Sequence, residues 1–158
     1  MHFRFLISCL ALALTLTGCQ TNSSMEGIQS SRVAMTNSIR GEEPGSYFIG
    51  RRYYKSDYKF WGYVRPPGQP WNTAKLVMLN EQAKLAPDRE LGKIGSDNSY
   101  EYKLVGNFSG QTVYEPASNG FYPEFILKGY ELRSASPGNI FRAAGALDPS
   151  RRIIAQPY

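Results

Sequence analysis

The sequence predicts an all-β fold for the middle of this 158-residue chain, a small antiparallel barrel of five or six strands. Aromatic residues make up 13% of the chain, and apart from Tyr158 and two in the first five residues they all lie between residues 47 and 141. In that region, short stretches of alternating polar and apolar residues are separated by Gly and Pro, which is the pattern of strands and turns. Glycines also fall inside the predicted strands, where they permit the sharp coiling of a small barrel, at Gly50, Gly62, Gly106 and Gly129.

Six stretches have the composition of strands, at residues 47–54, 58–65, 73–80, 100–108, 111–115 and 124–133. The first two form a hairpin or one long bent strand. Prolines in residues 66–70 end the second, because proline lacks the amide donor that a ladder needs. The third is apolar on both faces, which places it in the middle of the sheet. Residues 81–99 are polar and predict a loop, and Ser109-Gly110 predicts a tight turn.

The succession of strand lengths resembles the OB-fold, in which a long bent first strand is followed by a meander and a late hairpin. The resemblance covers residues 47–133. The helix that commonly lies between the third and fourth strands of that fold has no room at Ser109-Gly110. An SH3-like barrel or a small sandwich fits the same strands.

The barrel is flanked by two segments of different composition. Residues 19–46 are rich in Ser, Thr, Asn, Gln, Glu and Gly and contain no aromatic residue, which predicts a flexible linker, with a short helix over residues 31–40 as the alternative. Residues 134–158 are rich in Ala, Gly, Pro and Ser and predict an irregular tail. The tail also contains large apolar side chains that are able to dock on the barrel, namely Ile153, Ile154 and Tyr158.

The beginning of the chain has the pattern of an export signal. His2 and Arg4 precede an apolar run over residues 5–16, which is too short to cross about 30 Å of hydrocarbon. The sequence Leu16-Thr17-Gly18-Cys19 then resembles the lipobox of bacterial lipoproteins. An ordinary cleaved signal or an uncleaved anchor is the alternative.

The lipoprotein resemblance implies that residues 1–18 are removed and that Cys19 carries diacylglycerol on sulfur and an acyl group on its amine. One acyl chain binds a membrane only marginally, so two or more are needed for stable anchoring. Gln20 differs from the Asp that retains such proteins in the inner membrane, which favours the outer membrane. We therefore expect a protein of the cell envelope.

Residue types and charge exclude several kinds of chemistry. After residue 18 the chain has no His and no Cys besides Cys19, which excludes Ser-His-Asp and Cys-His catalysis and zinc sites built on those residues. We expect no cofactor, no metal and no enzymatic activity.

The net charge of the chain indicates which partners to expect. Residues 1–18 contain one charged side chain, Arg4, so 17 Lys+Arg and 13 Asp+Glu remain, a difference of +4. In the envelope this favours anionic lipids, wall polymers or glycans as partners, and no nucleic acid is expected.

Two groups of residues define the alternative function, a small envelope hydrolase. Ser56-Asp57-Tyr58-Lys59 and Ser96-Asp97-Asn98 resemble the S-x-x-K and S-D-N motifs of penicillin-binding proteins and serine β-lactamases, although no K-T-G follows. Glu115 and Glu124 flank a loop and form a candidate carboxylate pair for glycan cleavage. The simpler interpretation is that these residues form turns and surface ion pairs.

Aromatic and basic residues interleave along the second predicted strand. If one face of that strand forms the core, the two-residue period leaves Lys59, Trp61, Tyr63 and Arg65 exposed together on the other. Such a face stacks on rings and holds anions. We expect a non-catalytic binding or scaffolding module that uses this face for an anionic or glycan partner or an envelope protein. The alternative is that these aromatic side chains only form core and ordinary surface.

Replacing Cys19 with Ser removes the sulfur that the lipid needs, so we expect the variant to lose membrane association and lipid mass. Cell fractionation and intact-mass spectrometry check both properties, with Cys9→Ser as the matched control because Cys9 lies in the removed segment. A Cys19→Ser chain that stays as membrane-associated as the parent, while the parent carries no lipid, would contradict the anchor.

Overall fold

The computed structural model describes residues 22–158. The expected signal peptide and Cys19 lie outside the described residues. The described part contains helix α1 (Asn22–Arg40), strands β1 (Phe48–Arg52), β2 (Gly62–Arg65), β3 (Lys75–Asn80), β4 (Glu101–Glu115) and β5 (Gly120–Ser134), a 3₁₀ turn at Trp71–Thr73 and the short helix α2 (Pro87–Glu90). None of the helices in this part of the chain is long and apolar enough to cross a membrane.

The five strands close into a barrel in the order β1-β2-β3-β5-β4. The predicted small barrel of five or six strands is therefore confirmed as a closed barrel of five strands, and closure excludes the open sandwich. One detail of the prediction is wrong, because β3 and β5 pair in parallel, with Met78 opposite Glu124. The remaining pairs are antiparallel. A parallel pair brings together strands that are distant in sequence, so local alternation does not reveal it.

The predicted fourth and fifth strands are one long strand, β4. Gly110 has a positive φ of 84°, which glycine adopts without strain. Here it belongs to an irregularity in the β4–β5 ladder between Phe108 and Thr112 instead of a turn. The reversal comes later, at residues 116–119, where Asn119 has a φ of 51°. The expectation that the helix between the third and fourth strands has no room is wrong, because the short helix α2 lies between β3 and β4, within the polar segment 81–99.

Two hydrophobic clusters lie on opposite faces of the β1–β2 part of the barrel. The inner cluster joins residues from several strands, among them Val64, Val77, Leu104 and Phe125. Tyr63, next to Val64 on β2, points to the opposite face because side chains alternate along a strand. Tyr63 belongs to the outer cluster, which is completed by residues of the tail and includes Ile49, Tyr53, Trp71, Ile140 and Phe141.

The tail is irregular, as predicted, and it is also docked on the barrel. The Tyr63 hydroxyl donates to the Ala155 carbonyl at 2.7 Å, and the Tyr53 hydroxyl accepts from the Ala155 amide at 3.1 Å. The buried Lys55 ammonium donates to the carbonyls of Ala146 (2.6 Å) and Asp148 (2.7 Å). Burial lowers the pKa of Lys55, although Asp148 opposes this effect. The tail therefore satisfies polar groups that the barrel alone would leave buried and unpaired.

The segment expected to be a linker also contributes to the folded body. Met35 and Ile39 of α1 pack against the outer cluster. Beyond α1, Glu42 is 9% exposed and its carboxylate accepts two hydrogen bonds of 2.7 Å from the Arg65 guanidinium. The prediction of a free linker is therefore wrong for residues 35–42, because these side chains bury against the barrel.

Phe141→Ala tests whether the tail belongs to the core. The Phe141 ring lies 5.0 Å from that of Tyr53 and 5.7 Å from that of Tyr63, and the residue is 3% exposed. We expect a loss of about 3–5 kcal/mol in the free energy of unfolding, measured by urea denaturation. The matched variant Phe121→Ala, at a residue that is 70% exposed, should lose less than about 1 kcal/mol. Equal losses in the two variants would show that the docked tail does not contribute to the core.

A candidate binding cavity at one end of the barrel

A cavity of about 330 Å³ lies where the β1–β2 and β3–β4 connections meet, and we name it the loop cavity. Both connections leave the barrel at the same end, because β1 is antiparallel to β2 and to β4. The volume lies in the range of small-molecule sites. Its lining includes Arg52, Tyr54, Ser56, Tyr58, Lys59, Phe60, Trp61, Glu81, Asp88 and Arg89.

Aromatic rings form one wall of the loop cavity. Tyr58 and Phe60 lie with ring centroids 5.0 Å apart, and Trp61 contacts Tyr102 at 6.2 Å. Trp61 is held by its backbone, since its amide donates to the Val77 carbonyl at 2.8 Å. A Cβ at Gly62 would lie 2.2 Å from the Arg51 carbonyl oxygen, so only glycine permits this close approach of β1 and β2 beside Trp61.

The base of the loop cavity is a buried group of charges. The Arg52 guanidinium donates to Asp88 at 2.9 Å and to Asp97 at 3.3 Å, and it also donates to the Trp61 carbonyl. Burial opposes ionisation of Asp88, but Arg52 and the Gly95 amide outweigh it and lower the pKa of this carboxyl. Burial raises the pKa of Asp97 despite the nearby Arg52. The cavity therefore has an ionised carboxylate, Asp88, at its base.

Two polar atoms of the lining residues have no hydrogen-bond partner within residues 22–158. They are the indole nitrogen Nε1 of Trp61 and the oxygen Oδ1 of Asp88. Both residues are buried, at 4% and 1% exposure. A buried donor or acceptor without a partner costs about 1–3 kcal/mol, so each such atom calls for a partner that the described residues do not supply, such as an ordered water or a ligand group. A hydroxyl group is suited to both, because it accepts from an N–H and donates to a carboxylate.

The mouth of the loop cavity carries positive charge. Lys59 and Arg89 are exposed lining residues. Glu81 is half-buried, and its carboxylate accepts from the Ala86 amide at 2.6 Å and from Arg89 Nε at 3.0 Å. Of the two cations, Lys59 has no salt bridge with any residue that the structure describes. Its ammonium is available to a ligand.

The four residues predicted as one exposed binding face do not lie together. Lys59 is exposed and Trp61 is buried, and both line the loop cavity. Tyr63 is 1% exposed in the outer cluster, and Arg65 is 1% exposed and paired with Glu42. The expectation of a common exposed face is wrong for two reasons. Trp61 and Tyr63 belong to different clusters because Trp61 precedes β2, and the tail and α1 cover the outer face of that strand.

The residues of the hydrolase alternative have structural partners. The Ser56 hydroxyl donates to the Pro149 carbonyl at 2.8 Å, and the Asn98 side chain bridges the Tyr54 amide and the Leu147 carbonyl. Burial opposes ionisation of Glu115, but hydrogen bonds from Ser118, Ala117 and Lys59 lower the pKa of its carboxyl. A general acid for glycan cleavage needs a raised pKa.

The hydrogen-bond partner of Glu124 and the buried ion pair between Arg52 and Asp88 were not predicted from the sequence. Glu124 accepts from the Asn80 side chain at 3.0 Å, across the parallel pair that the sequence did not predict. Arg52 and Asp88 are 36 residues apart in the sequence. They approach each other because the last residue of β1 and the β3–β4 connection lie at the same end of the barrel. The sequence feature that could have located Asp88 is Pro87, because proline is favoured in the first turn of a helix and so predicts that a helix begins at this point.

No protein family, curated protein or solved structure matches this chain in comparisons with known proteins. Over residues 22–158, no group of three or more His, Cys, Asp or Glu side chains is placed to hold a metal ion. The geometry of the loop cavity is the observation that bears most directly on function.

Proposed function

We propose that this chain is a non-catalytic binding module of the cell envelope, anchored by lipid on Cys19, and that its loop cavity binds a sugar unit of an anionic glycan. The observation that carries the proposal is the pair of buried, unpartnered polar atoms in residues 22–158, Trp61 Nε1 and Asp88 Oδ1, beside an aromatic wall. A sugar ring supplies both a face for stacking and hydroxyl groups for these atoms.

The position of the cavity supports this class of ligand by analogy of fold. OB-fold barrels bind oligonucleotides and oligosaccharides on the face of strands 2 and 3 and at the β1–β2 and β4–β5 loops. The loop cavity is lined by the β1–β2 connection and by the end of β3. Nucleic acid is a poor candidate for an envelope location, so an oligosaccharide is the better choice. The fold alone does not determine a ligand, and the lining residues make the choice.

Charge favours a glycan that carries anionic groups. Lys59 and Arg89 stand at the mouth, where they meet the part of a polymer that extends out of the cavity. The formal net charge of +4 in the chain after residue 18 also favours an anionic ligand, because it concentrates polyanions near the protein. Wall polymers that bear carboxylates supply both the sugar rings for the cavity and the negative charge for its mouth.

The proposed anchor and α1 fit this role. A 19-residue helix is roughly 28 Å long at 1.5 Å per residue. Its last two turns pack on the barrel through Met35 and Ile39, so the rest of α1 leads from the body toward Cys19. A lipid-anchored protein of this shape holds its cavity at a distance from the membrane surface, within reach of the wall. The outer membrane is the proposed location, because Gln20 follows the cysteine.

Titration with muropeptides tests the glycan assignment, using residues 19–158 with Cys19→Ser so that no detergent is needed. We expect saturable binding by calorimetry and a loss of about tenfold in affinity for Trp61→Phe, which keeps an aromatic ring and removes the N–H donor. Trp71→Phe is the matched control, since Trp71 does not line the loop cavity. Equal affinity of the Trp61→Phe variant and the parent would contradict the assignment.

The charge at the mouth has its own test in the same titration. Lys59→Gln should weaken muropeptide binding and reduce its salt dependence, whereas Lys128→Gln, at an exposed residue of β5 outside the cavity, should not. A neutral chito-oligosaccharide and polyglutamate separate the two parts of the ligand. If polyglutamate binds as well as muropeptide and the chito-oligosaccharide does not bind, the site recognises charge alone and the glycan proposal fails.

A further inference from the structure

A second cavity, of about 360 Å³, lies between the last turns of α1 and the outer face of the barrel, and we name it the helix cavity. Its floor is formed by Arg51 of β1, Arg65 of β2 and Trp71. Its roof is formed by α1, and its residues differ from those of the loop cavity. Its lining includes Ala34, Met35, Ser38, Ile39, Glu42, Arg51, Arg65, Trp71, Glu101 and Pro137.

Two buried arginines in the floor share one feature. Arg51 donates from Nη2 to Glu101 at 2.7 Å and from Nη1 to the Gly138 carbonyl at 2.8 Å. Arg65 donates from Nη1 and Nη2 to the two oxygens of Glu42, each at 2.7 Å. In both residues the inner nitrogen Nε has no partner among residues 22–158. Two N–H donors of buried guanidiniums, in residues that line one cavity, are therefore left without an acceptor.

The charges around the helix cavity do not balance. Three guanidiniums, those of Arg51, Arg65 and Arg133, share two carboxylates, those of Glu42 and Glu101. The network therefore carries one net positive charge, and Arg133, which lies outside the cavity lining, is 29% exposed at its side chain. Burial lowers the pKa of Arg51 although Glu101 opposes it, and the neighbouring charges of Arg65 and Arg133 act in the same direction as burial.

The other walls of the helix cavity are apolar. Trp71 lies beneath both guanidiniums, with the carbon Cζ of Arg51 at 5.1 Å and that of Arg65 at 4.4 Å from its ring. Met35 and Ile39 of α1 face the same cluster, and Ala34 and Pro137 complete the lining. A ligand that fills this space needs an apolar body as well as an acceptor group.

We propose that the helix cavity binds a small organic monocarboxylate with an apolar body. The carboxylate accepts from Nε of Arg51 and of Arg65 and neutralises the remaining positive charge. The apolar part lies against Met35, Ile39 and Trp71. A water molecule would supply an acceptor but no charge, and a dianion would reverse the imbalance. This inference concerns a site separate from the loop cavity, so it stands or falls independently of the proposed function.

Octanoate is the probe, with 1-octanol as the neutral control of equal chain length. Residues 19–158 with Cys19→Ser and Trp61→Phe retain Trp71 as the only tryptophan, so fluorescence reports on the helix cavity. We expect saturable binding of one octanoate and at least about tenfold weaker binding of 1-octanol, because hydrogen bonds to a charged group are lost. No saturable binding of octanoate, or equal binding of the two probes, would overturn the proposal.

Variants on α1 locate the binding without disturbing the buried arginines. Ser38 is exposed and lines the helix cavity, so Ser38→Phe should fill it and abolish octanoate binding. Thr36 is also exposed but does not line the cavity, and Thr36→Phe should bind octanoate as the parent does. Circular dichroism verifies that both variants are folded. Retained binding in Ser38→Phe, or equal loss in both variants, would overturn the proposed location.

The role of the Arg51 guanidinium is tested by Arg51→Lys, which keeps the positive charge but removes Nε together with the Nη donors to Gly138 and Glu101. The expected result is at least about a tenfold loss of octanoate affinity in chain that is folded by circular dichroism. Unchanged affinity would show that the Nε donor takes no part in binding and would overturn the assigned contact.

Discussion

The burial of the outer face of β1 and β2 beneath the tail is the constraint on which the rest of the structure depends. Strands that are covered on both faces leave no exposed aromatic strip along their length. Tyr53, Tyr63 and Lys55 direct their polar atoms to carbonyls and amides of the tail. In the described part of the chain, cavities whose lining residues have unpartnered donors therefore lie beyond the residues that the tail covers. They are the loop cavity and the helix cavity under α1.

Two consecutive arginines connect the two cavities. Arg51 and Arg52 are neighbours on β1, so their side chains point to opposite faces. Arg51 lies over Trp71 and pairs with Glu101, whereas Arg52 pairs with Asp88 and Asp97. Removing one partner of a buried ion pair is strongly destabilising, because it leaves an uncompensated charge. These pairs therefore hold each cavity floor in a fixed geometry, with the unpartnered atoms of Arg51, Arg65 and Asp88 in the same ion pairs.

The barrel could be predicted from sequence, whereas the binding face could not. Alternation and Gly and Pro punctuation locate β1 to β5 because they are local properties. The exposure of Tyr63 and Arg65 depends on what covers the outer face of β2, and the covering residues of the tail, Ile140, Phe141 and Ala155, are scattered in a segment without periodicity. Of the candidate residues, Lys59 and Trp61 reached a common cavity because they belong to the β1–β2 connection and not to the strand itself.

The indole N–H resonances in a ¹⁵N–¹H NMR spectrum show directly whether a glycan enters the loop cavity. The chain has two tryptophans, so the spectrum has two such signals, one from Trp61 in the loop cavity and one from Trp71 in the helix cavity. We expect muropeptide to shift the Trp61 signal and to leave the Trp71 signal in place. A shift of Trp71 alone, or of neither signal at saturating muropeptide, would contradict this expectation.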